Sequence, residues 1–365
     1  MAVWDEIRGD FPAIARGVFL NAAAGSPVPR PVSEAVAAYH RETTEDDRWG
    51  PWLARQEEAR EQLAKLVGAE ADEIAFVSNT SSGMNLIAEL LAGDGAVLSD
   101  ELEFPSVTLP WIHRGTAVHF VPAVEGILHL ESFAAANAPK AATLVISHVQ
   151  FSNGCRQDLD AFGRLKEHRK LVVCGSQSVG AFPLDVKGSG IDALASAGYK
   201  WLCAGYGTGF VYVSRELLAR PPRSIGWRSV ERPFSFDNRK YTLLPSARRY
   251  ELGCPAFASA IALGAAARYV ASIGIELIAQ RVLELNAYLT GRLERAGFTV
   301  LSPAGAHRSG ETLVATLEPK RSAQVLLERG IHVTRKPEGI RISTHFYNNE
   351  EDVDRCVDAL TELRP

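Results

Sequence analysis

The chain has 365 residues, of which 46% are hydrophobic and 22% charged, and its formal net charge is −4. These values are ordinary for a globular protein, and they exclude the strongly basic surface that binds nucleic acid or anionic lipid. No run approaches the ~18 apolar residues of a membrane span, and the acidic start MAVWDEIRGD differs from a signal peptide. We therefore expect a cytoplasmic protein that acts on a small soluble molecule, without a membrane or nucleic-acid partner.

Short apolar runs alternate with helical patterns from about residue 70 to residue 215. Strands are predicted at residues 73–77, 117–121, 143–149, 171–174 and 210–213. Helices are predicted between them at residues 83–91 and 159–168, and Asp158 is the expected N-cap of the second helix. Such alternation is typical of parallel strands joined by crossover helices, and so of an α/β domain.

The character of the sequence changes after a loop rich in Pro and Arg at residues 221–232. Two long helices are predicted at residues 256–273 and 275–296, and they are followed by alternating strands and helices at residues 312–317, 323–329, 340–344 and 350–363. This pattern predicts a separate α+β unit. We expect an N-terminal arm over residues 1–20, a large domain over residues 21–245 and a small C-terminal domain over residues 246–365.

One lysine, Lys200, lies among aromatic and small residues in SAGYKWLCAGYGTGFVYVS, directly before a glycine-rich turn. Burying an ammonium is costly unless it is paired or neutralised. A lysine in a partly desolvated pocket therefore has a lowered pKa, and its amine condenses readily with an aldehyde. On spacing alone, a surface lysine at the edge of a strand is about as good an interpretation.

A turn rich in Ser and Thr, in FVSNTSSGMNLIA, joins a predicted strand to a predicted helix. The hydroxyls of Thr80, Ser81 and Ser82 and the free N–H groups at the start of this helix would suit a phosphate. Simple N-capping of the helix explains the same residues.

Two more polar side chains lie within a predicted buried strand or directly after one. Gln177, in LVVCGSQSVGAFPLDV, follows an apolar strand at the point where α/β sheets bind ligands. Arg341, in IRISTHFYNNEEDVDRC, lies between two isoleucines of a predicted strand, and its planar fork fits a carboxylate. An exposed arginine on an edge strand remains an equal alternative.

The five cysteines lie far apart, with no C-x-x-C pair among Cys155, Cys174, Cys203, Cys254 and Cys356. We therefore expect neither a metal site nor a disulfide framework. For most of them a buried thiol is the favoured interpretation.

In this order and at these distances, the four segments resemble the class V aminotransferase family of fold-type I enzymes that use pyridoxal 5′-phosphate (PLP). The family includes cysteine desulfurases, kynureninases and isopenicillin N epimerase-like proteins. The resemblance runs from VFLNAAAGSPVPRPV at residues 18–32 to RISTHFYNNEEDVDRCVDAL near the C-terminus. It implies an α/β protein of the PLP-dependent transferase fold type I. The large domain would hold a mainly parallel seven-stranded sheet between helices, and the smaller C-terminal domain would be α+β.

The resemblance also implies roles at the cofactor. Lys200 is similar to the lysine that forms the aldimine with PLP and serves as the catalytic residue. Thr80 and Ser81 occupy the positions that hold the cofactor phosphate, and Gln177 matches the glutamine on the O3′ side of the ring. Phe104, in DELEFPSVTLPW, falls where the family places an aromatic side chain that stacks on the pyridine ring.

The remaining implied roles concern the substrate and a partner subunit. Arg341 matches the arginine that binds the α-carboxylate of a small amino-acid substrate, and Asn21 and Ala23 are implied to contact the substrate. The segment ELGCPAF at residues 251–257 resembles the loop that reaches the phosphate of the partner subunit in the family's dimers. The resemblance therefore implies a homodimer with its active site at the subunit interface.

Four positions depart from the family's pattern. Cys174 stands where an Asp usually binds the protonated pyridine nitrogen, and a neutral thiol should weaken the ring's withdrawal of electrons. Tyr199 replaces a frequent His, Ala197 a common phosphate-binding Ser, and Cys254 a common Thr. We still expect Cys174, Tyr199 and Cys254 to lie at the cofactor.

The short segment GIHVTRKPEGIRIS limits which reactions of the family we expect. It joins a predicted helix directly to a predicted strand, with no loop and no cysteine between them. A persulfide-forming cysteine desulfurase of the common kinds carries a nucleophilic Cys on a loop there. We therefore expect an epimerase-, lyase- or aminotransferase-like enzyme. The alternative is a scaffold that has lost catalysis and acts as a binding or assembly protein.

Overall fold

Twelve helices and twelve strands are found in the computed structural model, which describes residues 2–136, 138 and 140–363. The helices are α1 Ala2–Gly9, α2 Arg30–Glu42, α3 Trp49–Val67, α4 Thr80–Leu91, α5 Pro105–His113, α6 Leu130–Ala135, α7 Leu159–Leu165, α8 Arg215–Leu218, α9 Phe257–Ile273, α10 Ile275–Arg295, α11 Pro319–Glu328 and α12 Glu350–Thr361. The strands are β1 Val18–Phe19, β2 Ile74–Val77, β3 Ala96–Asp100, β4 Val118–Val121, β5 Ala141–Ser147, β6 Lys170–Cys174, β7 Ala193–Ala197, β8 Gly209–Val213, β9 Glu311–Ala315, β10 Ile331–His332, β11 Thr334–Arg335 and β12 Gly339–Ser343.

Seven of these strands form one sheet in the order β2-β8-β7-β6-β5-β3-β4. Neighbouring strands run parallel except where they meet β8, which is antiparallel to both β2 and β7. One face packs against α4, α5 and α8, and the other against α3, α6, α7, α9 and α10. Strands covered on both faces need continuous apolar sequence, as β6 and β8 have. The predicted mainly parallel seven-stranded sheet between helices is confirmed.

The sheet contains two strands that the sequence pattern does not predict, β3 and β7. Strand β7 reads ALASA, although all five residues are buried. Small side chains are required there because α4 packs closely on the sheet. A Cβ added at Gly83 of α4 would lie 2.8 Å from the Ala195 Cβ and 2.7 Å from Val211 Cγ1. Because α4 packs so close to the sheet, β7 carries small residues instead of the β-branched residues by which strands are predicted.

The C-terminal part of the chain forms a second, three-stranded antiparallel sheet in the order β11-β12-β9. Its core includes residues of α10, α11 and α12 together with Val18 and Leu20 from the N-terminal segment. Strand β1 pairs in parallel with β10, and Asn21 forms a bridge to Ser343. The N-terminal segment thus packs into the C-terminal unit, and the predicted domain boundaries at residues 20 and 245 stay predictions.

Among the described residues, no single helix is long and apolar enough to cross a membrane. Helices α9 and α10 reach the required length and composition only as a pair, and they are bent by 79° at the break between them.

A buried ion pair joins α3 to the sheet and to the segment before Cys254. Arg60 is 1% exposed, donates to the Ile74 carbonyl at 2.7 Å, and forms a salt bridge to Glu251 with Nη1–Oε1 at 2.6 Å. Glu251 also accepts from the Phe76 backbone N–H at 3.0 Å. The pair therefore holds three segments together.

We expect Arg60→Met to lower the free energy of unfolding by about 3 kcal/mol, because it leaves the Glu251 carboxylate without its cation. Urea unfolding of the purified variant measures the loss. Arg321→Met is the matched control, since the side chains of Arg321 and its partner Glu318 are 67% and 62% exposed. A control variant that loses more than about 0.5 kcal/mol of unfolding free energy, or an Arg60→Met variant that loses none, would contradict this expectation.

Candidate active site

Three of the predicted site residues lie where the carboxyl ends of β2, β6 and β7 meet. Cys174 ends β6, Lys200 follows β7 by three residues, and Thr80 begins α4 just after β2. Because β2, β6 and β7 all run in the same direction, their carboxyl ends lie at one edge of the sheet. This edge is where open α/β sheets bind their ligands.

The Lys200 side chain is partly buried beside this group. Burial lowers the pKa of its ammonium below the ordinary value, and nearby Arg341 lowers it further, whereas Cys174 and Glu311 act in the opposite direction. Its Nζ lies 5.8 Å from the centre of the Tyr199 ring. A lysine in this state has more of its neutral amine, the nucleophilic form, at neutral pH.

The first turn of α4 is capped by Asn79, whose Oδ1 accepts from the Ser82 N–H at 2.9 Å. Thr80 and Ser81 are therefore not used as caps, and their backbone N–H groups lie at the positive end of the helix. Thr80 is buried and its hydroxyl bonds to the buried Ser176 hydroxyl, whereas Ser81 is exposed. The N-cap is thus Asn79 rather than Thr80, Ser81 or Ser82, and the binding of an anion by Thr80 and Ser81 stays a prediction.

The Gln177 amide is held at both ends. Its Oε1 accepts from Trp201 Nε1 at 2.8 Å, and its Nε2 donates to the Ala23 carbonyl at 3.0 Å. Ser26 N–H donates to the Tyr199 carbonyl at 3.0 Å, so the N-terminal segment also fixes the backbone before Lys200. One N–H of Gln177 remains for a ligand.

The Cys174 thiol is buried and lies 3.5 Å from the Ser176 hydroxyl. Burial, followed by the nearby Glu103 carboxyl group, raises its pKa, which keeps the thiol neutral. Glu103 binds both the backbone N–H and the hydroxyl of Ser147, the residue that pairs with Cys174 across β5 and β6. Burial raises the pKa of Glu103 and of its neighbour Asp100. The sequence pattern singles out neither Ser176 nor this pair of carboxyl groups.

Arg341, whose charge acts on Lys200, is 3% exposed. Its Nη1 donates to the Phe151 carbonyl at 2.7 Å and lies 3.3 Å from Glu311 Oε2, and its Nη2 donates to Thr334 Oγ1 at 3.4 Å. The alternative of an exposed edge arginine is therefore wrong. Glu311 is a buried carboxylate that the sequence pattern does not predict at the site.

Asn21 and Ala23 contact the residues around Arg341 and Gln177. The Asn21 Oδ1 accepts from the Thr334 hydroxyl, which in turn accepts from Arg341. Ala23 meets Gln177 through its carbonyl group. The N-terminal segment thus connects the arginine with the glutamine.

Two aromatic side chains border the site. Phe104 is 47% exposed and meets Phe151 edge to face, with ring centres 5.0 Å apart. Tyr199 stacks on the exposed Tyr206 at 4.7 Å. The Phe104 ring therefore keeps enough open surface to stack on a planar ligand.

Cys254 is not brought to Lys200 within one chain. It is exposed on the loop after residue 250, and its place at the cofactor stays a prediction. The other four cysteines are buried, as predicted for most of them.

Comparison with known proteins gives a consistent family assignment. A family model described as Aminotransferase class-V matches residues 18–356. An uncharacterized aminotransferase, YcbU, from Bacillus subtilis is 28% identical over 98% of this chain and 97% of its own length. Isopenicillin N epimerase from Amycolatopsis lactamdurans is 30% identical over 94% of each chain. The apo structure of a cysteine desulfurase from Thermococcus onnurineus superposes with a TM-score of 0.91 at 25% identity, covering 98% of this chain and 97% of that one.

Proposed function

Because this chain belongs to the class V aminotransferase family, whose members are PLP-dependent enzymes, we propose that Lys200 attaches the cofactor and that Arg341 binds the α-carboxylate of a small amino acid. The observation that carries the proposal is the placement of Lys200. Its partly buried amine has a lowered pKa, follows β7 at the sheet edge where α4 begins, and is close enough to the buried Arg341 to be affected by its charge.

The residues around Lys200 fit PLP by their chemistry. Thr80 and Ser81 offer a hydroxyl and backbone N–H groups at a helix N-terminus, which suits a phosphate. Gln177 keeps one N–H for the phenolic oxygen, and the open face of Phe104 suits the ring. Cys174 then lies where the pyridine nitrogen is expected. When bound, PLP withdraws electrons from the α-carbon of an attached amino acid, so that a bond to that carbon can break.

The chain's own residues divide the remaining tasks. Arg341 orients the substrate through its carboxylate, and the Lys200 amine takes or returns the α-proton at Nζ. The neutral thiol of Cys174 bears no charge to hold a proton on the ring nitrogen, which favours reactions with only brief negative charge at the α-carbon. Epimerase-, lyase- and aminotransferase-like reactions all remain within this description.

We exclude persulfide formation from the proposal because the segment before Arg341 offers no thiol. Strands β10, β11 and β12 follow one another over residues 331–343, a stretch that contains no cysteine. The exposed Cys254 lies on another loop. Incubating the holoenzyme with cysteine and assaying sulfide and protein persulfide tests this exclusion, and a persulfide on any cysteine would overturn it.

A direct experiment tests cofactor and reaction together. The purified protein is mixed with PLP, its visible spectrum is recorded, and it is incubated with amino acids in D₂O to detect exchange of the α-proton. A yellow protein that exchanges the α-proton supports the proposal. A colourless protein that takes up no PLP supports the alternative of a scaffold without catalysis.

We also propose a homodimer, and the support is an exposed aromatic patch formed by Trp227, Phe234, Phe236 and Tyr241. The side chains of Phe234, Phe236 and Tyr241 are 56%, 75% and 63% exposed, and the two phenylalanines contact the Trp227 ring. An apolar patch of this kind is characteristic of a protein interface. The loop that carries Cys254 meets this patch, because the Arg228 N–H donates to the Leu252 carbonyl at 3.4 Å and the Arg228 guanidinium lies over the Trp227 and Phe234 rings.

We expect Phe236→Asp to weaken this dimer by about 30-fold or more, because it puts a charge at the centre of the aromatic patch. Sedimentation velocity over a range of protein concentrations measures the change. Leu317→Asp is the matched control, since Leu317 is 91% exposed and lies outside the patch. A wild-type protein that is monomeric at micromolar concentration would refute the proposed dimer.

A further inference from the structure

The most unusual group near Lys200 is the Glu311 carboxylate. It begins β9 and pairs across the sheet with Ser343, two residues beyond Arg341 on β12. Only 1% of Glu311 is exposed, and burial raises the pKa of its carboxyl group, whereas Arg341, Lys200 and Lys336 lower it. Burial thus outweighs these three cations in the pKa, and the 3.3 Å ion pair with Arg341 is the contact that favours the ionised form.

The ion pair with Arg341 leaves Glu311 without the hydrogen bonds that a carboxylate needs. Its Oε2 lies 3.3 Å from Arg341 Nη1, but Nη1 donates to the Phe151 carbonyl and Nη2 to Thr334. Neither carboxylate oxygen of Glu311 accepts a hydrogen bond from any described residue. An ionised carboxylate has about four acceptor positions, and buried polar groups are normally satisfied.

Other buried polar atoms without a partner lie on β12 and in the segment whose Phe151 carbonyl binds Arg341. They are Arg341 Nε, the hydroxyl of the cross-strand neighbour Ser343, and the Ser152 hydroxyl next to Phe151. Polar atoms of this kind, gathered beside Lys200 and Arg341, are the complement of a polar ligand. Because Glu311 can only accept hydrogen bonds when ionised, the part of the ligand that meets it must donate them.

The charges narrow the substrate class further. A substrate carboxylate on Arg341 brings a second negative charge next to Glu311, so an acidic side chain would add repulsion. An aliphatic side chain would displace water and leave the Glu311 oxygens buried without donors. A side chain with an N–H donor satisfies both oxygens and offsets the charge.

We propose that Glu311 is a specificity-determining residue that accepts hydrogen bonds from the substrate side chain. The substrate class is then amino acids whose side chain ends in a nitrogen donor, such as a guanidinium, ammonium or amide group. This inference rests on the proposed function, since it takes Lys200 as the cofactor residue and Arg341 as the α-carboxylate site.

The test is a binding titration of the holoenzyme, read from the absorbance of the bound cofactor. L-Arginine, L-glutamine, L-norleucine and L-glutamate are compared with wild-type protein, Glu311→Gln and Glu311→Leu. We expect wild-type protein to bind L-arginine at least tenfold more tightly than L-norleucine and L-glutamate. Glu311→Leu should lose this preference, and Glu311→Gln should keep the binding of L-glutamine better than that of L-arginine.

Glu338→Gln is the matched control, because Glu338 is an exposed carboxylate that also acts on Lys336. It should leave the preference unchanged. A wild-type protein that binds L-norleucine as tightly as L-arginine overturns the role of Glu311, even if the Glu311 variants fail to fold. A protein with no PLP on Lys200 after borohydride reduction overturns the proposed function and this inference with it, so the two failures are distinct.

Discussion

Lys200→Ala is expected to abolish covalent attachment of PLP and to lower turnover by about 10³-fold or more, because one amine both holds the cofactor and moves the α-proton. An ordinary lysine with a pKa near 10.4 is almost entirely protonated at pH 7. Burial lowers the pKa of Lys200, which increases the fraction of neutral amine available to the aldehyde. The substitution should remove the yellow colour along with activity.

Borohydride reduction followed by peptide mass spectrometry measures the attachment directly. In wild-type protein the pyridoxyl group should be found on Lys200, and in Lys200→Ala on no lysine. Lys320→Ala is the matched control, since Lys320 is exposed on α11, away from the site. A pyridoxyl group on a different lysine of the wild-type protein would disprove the assignment.

Arg341→Leu is expected to weaken amino-acid binding by about 100-fold, because the α-carboxylate loses its charged partner. The same substitution should lower the free energy of unfolding by about 3 kcal/mol, since Glu311 is left buried beside a leucine. Titration of the bound cofactor with amino acids and urea unfolding measure the two effects.

The double variant Arg341→Leu/Glu311→Leu separates binding from stability. Removing both charges takes away the uncompensated carboxylate, so stability should return close to that of the wild-type protein. Binding of L-norleucine, whose side chain does not use Glu311, should stay about 100-fold weaker, because the guanidinium that binds the α-carboxylate is missing. If the double variant binds amino acids like wild-type protein, Arg341 is not the carboxylate site.

Much of the fold can be predicted from the sequence because, along most elements, the spacing of hydrophobic residues and the residue composition indicate the same type of secondary structure. Strands β5, β6 and β8 carry apolar β-branched runs, and α9 and α10 differ by one residue or so from their predicted limits. Helix α7 ends at Leu165 rather than at residue 168. Strand β7 carries no such signal, because close packing of α4 selects alanine there.

The candidate site can likewise be predicted only in part from the sequence. Lys200, Thr80 and Arg341 can be selected from the sequence, although each also has an ordinary explanation as a surface lysine, a capping residue or an edge-strand arginine. Glu311 does not stand out, since a charged residue at the start of a strand is ordinary when it faces water. Only the pairing of β9 with β12 makes it a buried neighbour of Arg341, and this pairing is a tertiary property. The proximity of Glu103 to Cys174 arises likewise from the pairing of β5 with β6.

The N-terminal segment has a consequence for how the protein is made. Val18 N–H bonds to the Gly330 carbonyl, and Asn21 meets Thr334, 313 positions later in the chain. At about 5–20 residues per second, a ribosome needs roughly 15–60 s to supply those partners. Throughout that time β1 lacks its neighbouring strand, and the Ala23 carbonyl reaches Gln177 at the site only after half of the chain has emerged. Completion of the site is therefore a late event of synthesis, and a nascent chain stalled before residue 330 should carry the Lys200 region without its finished pocket.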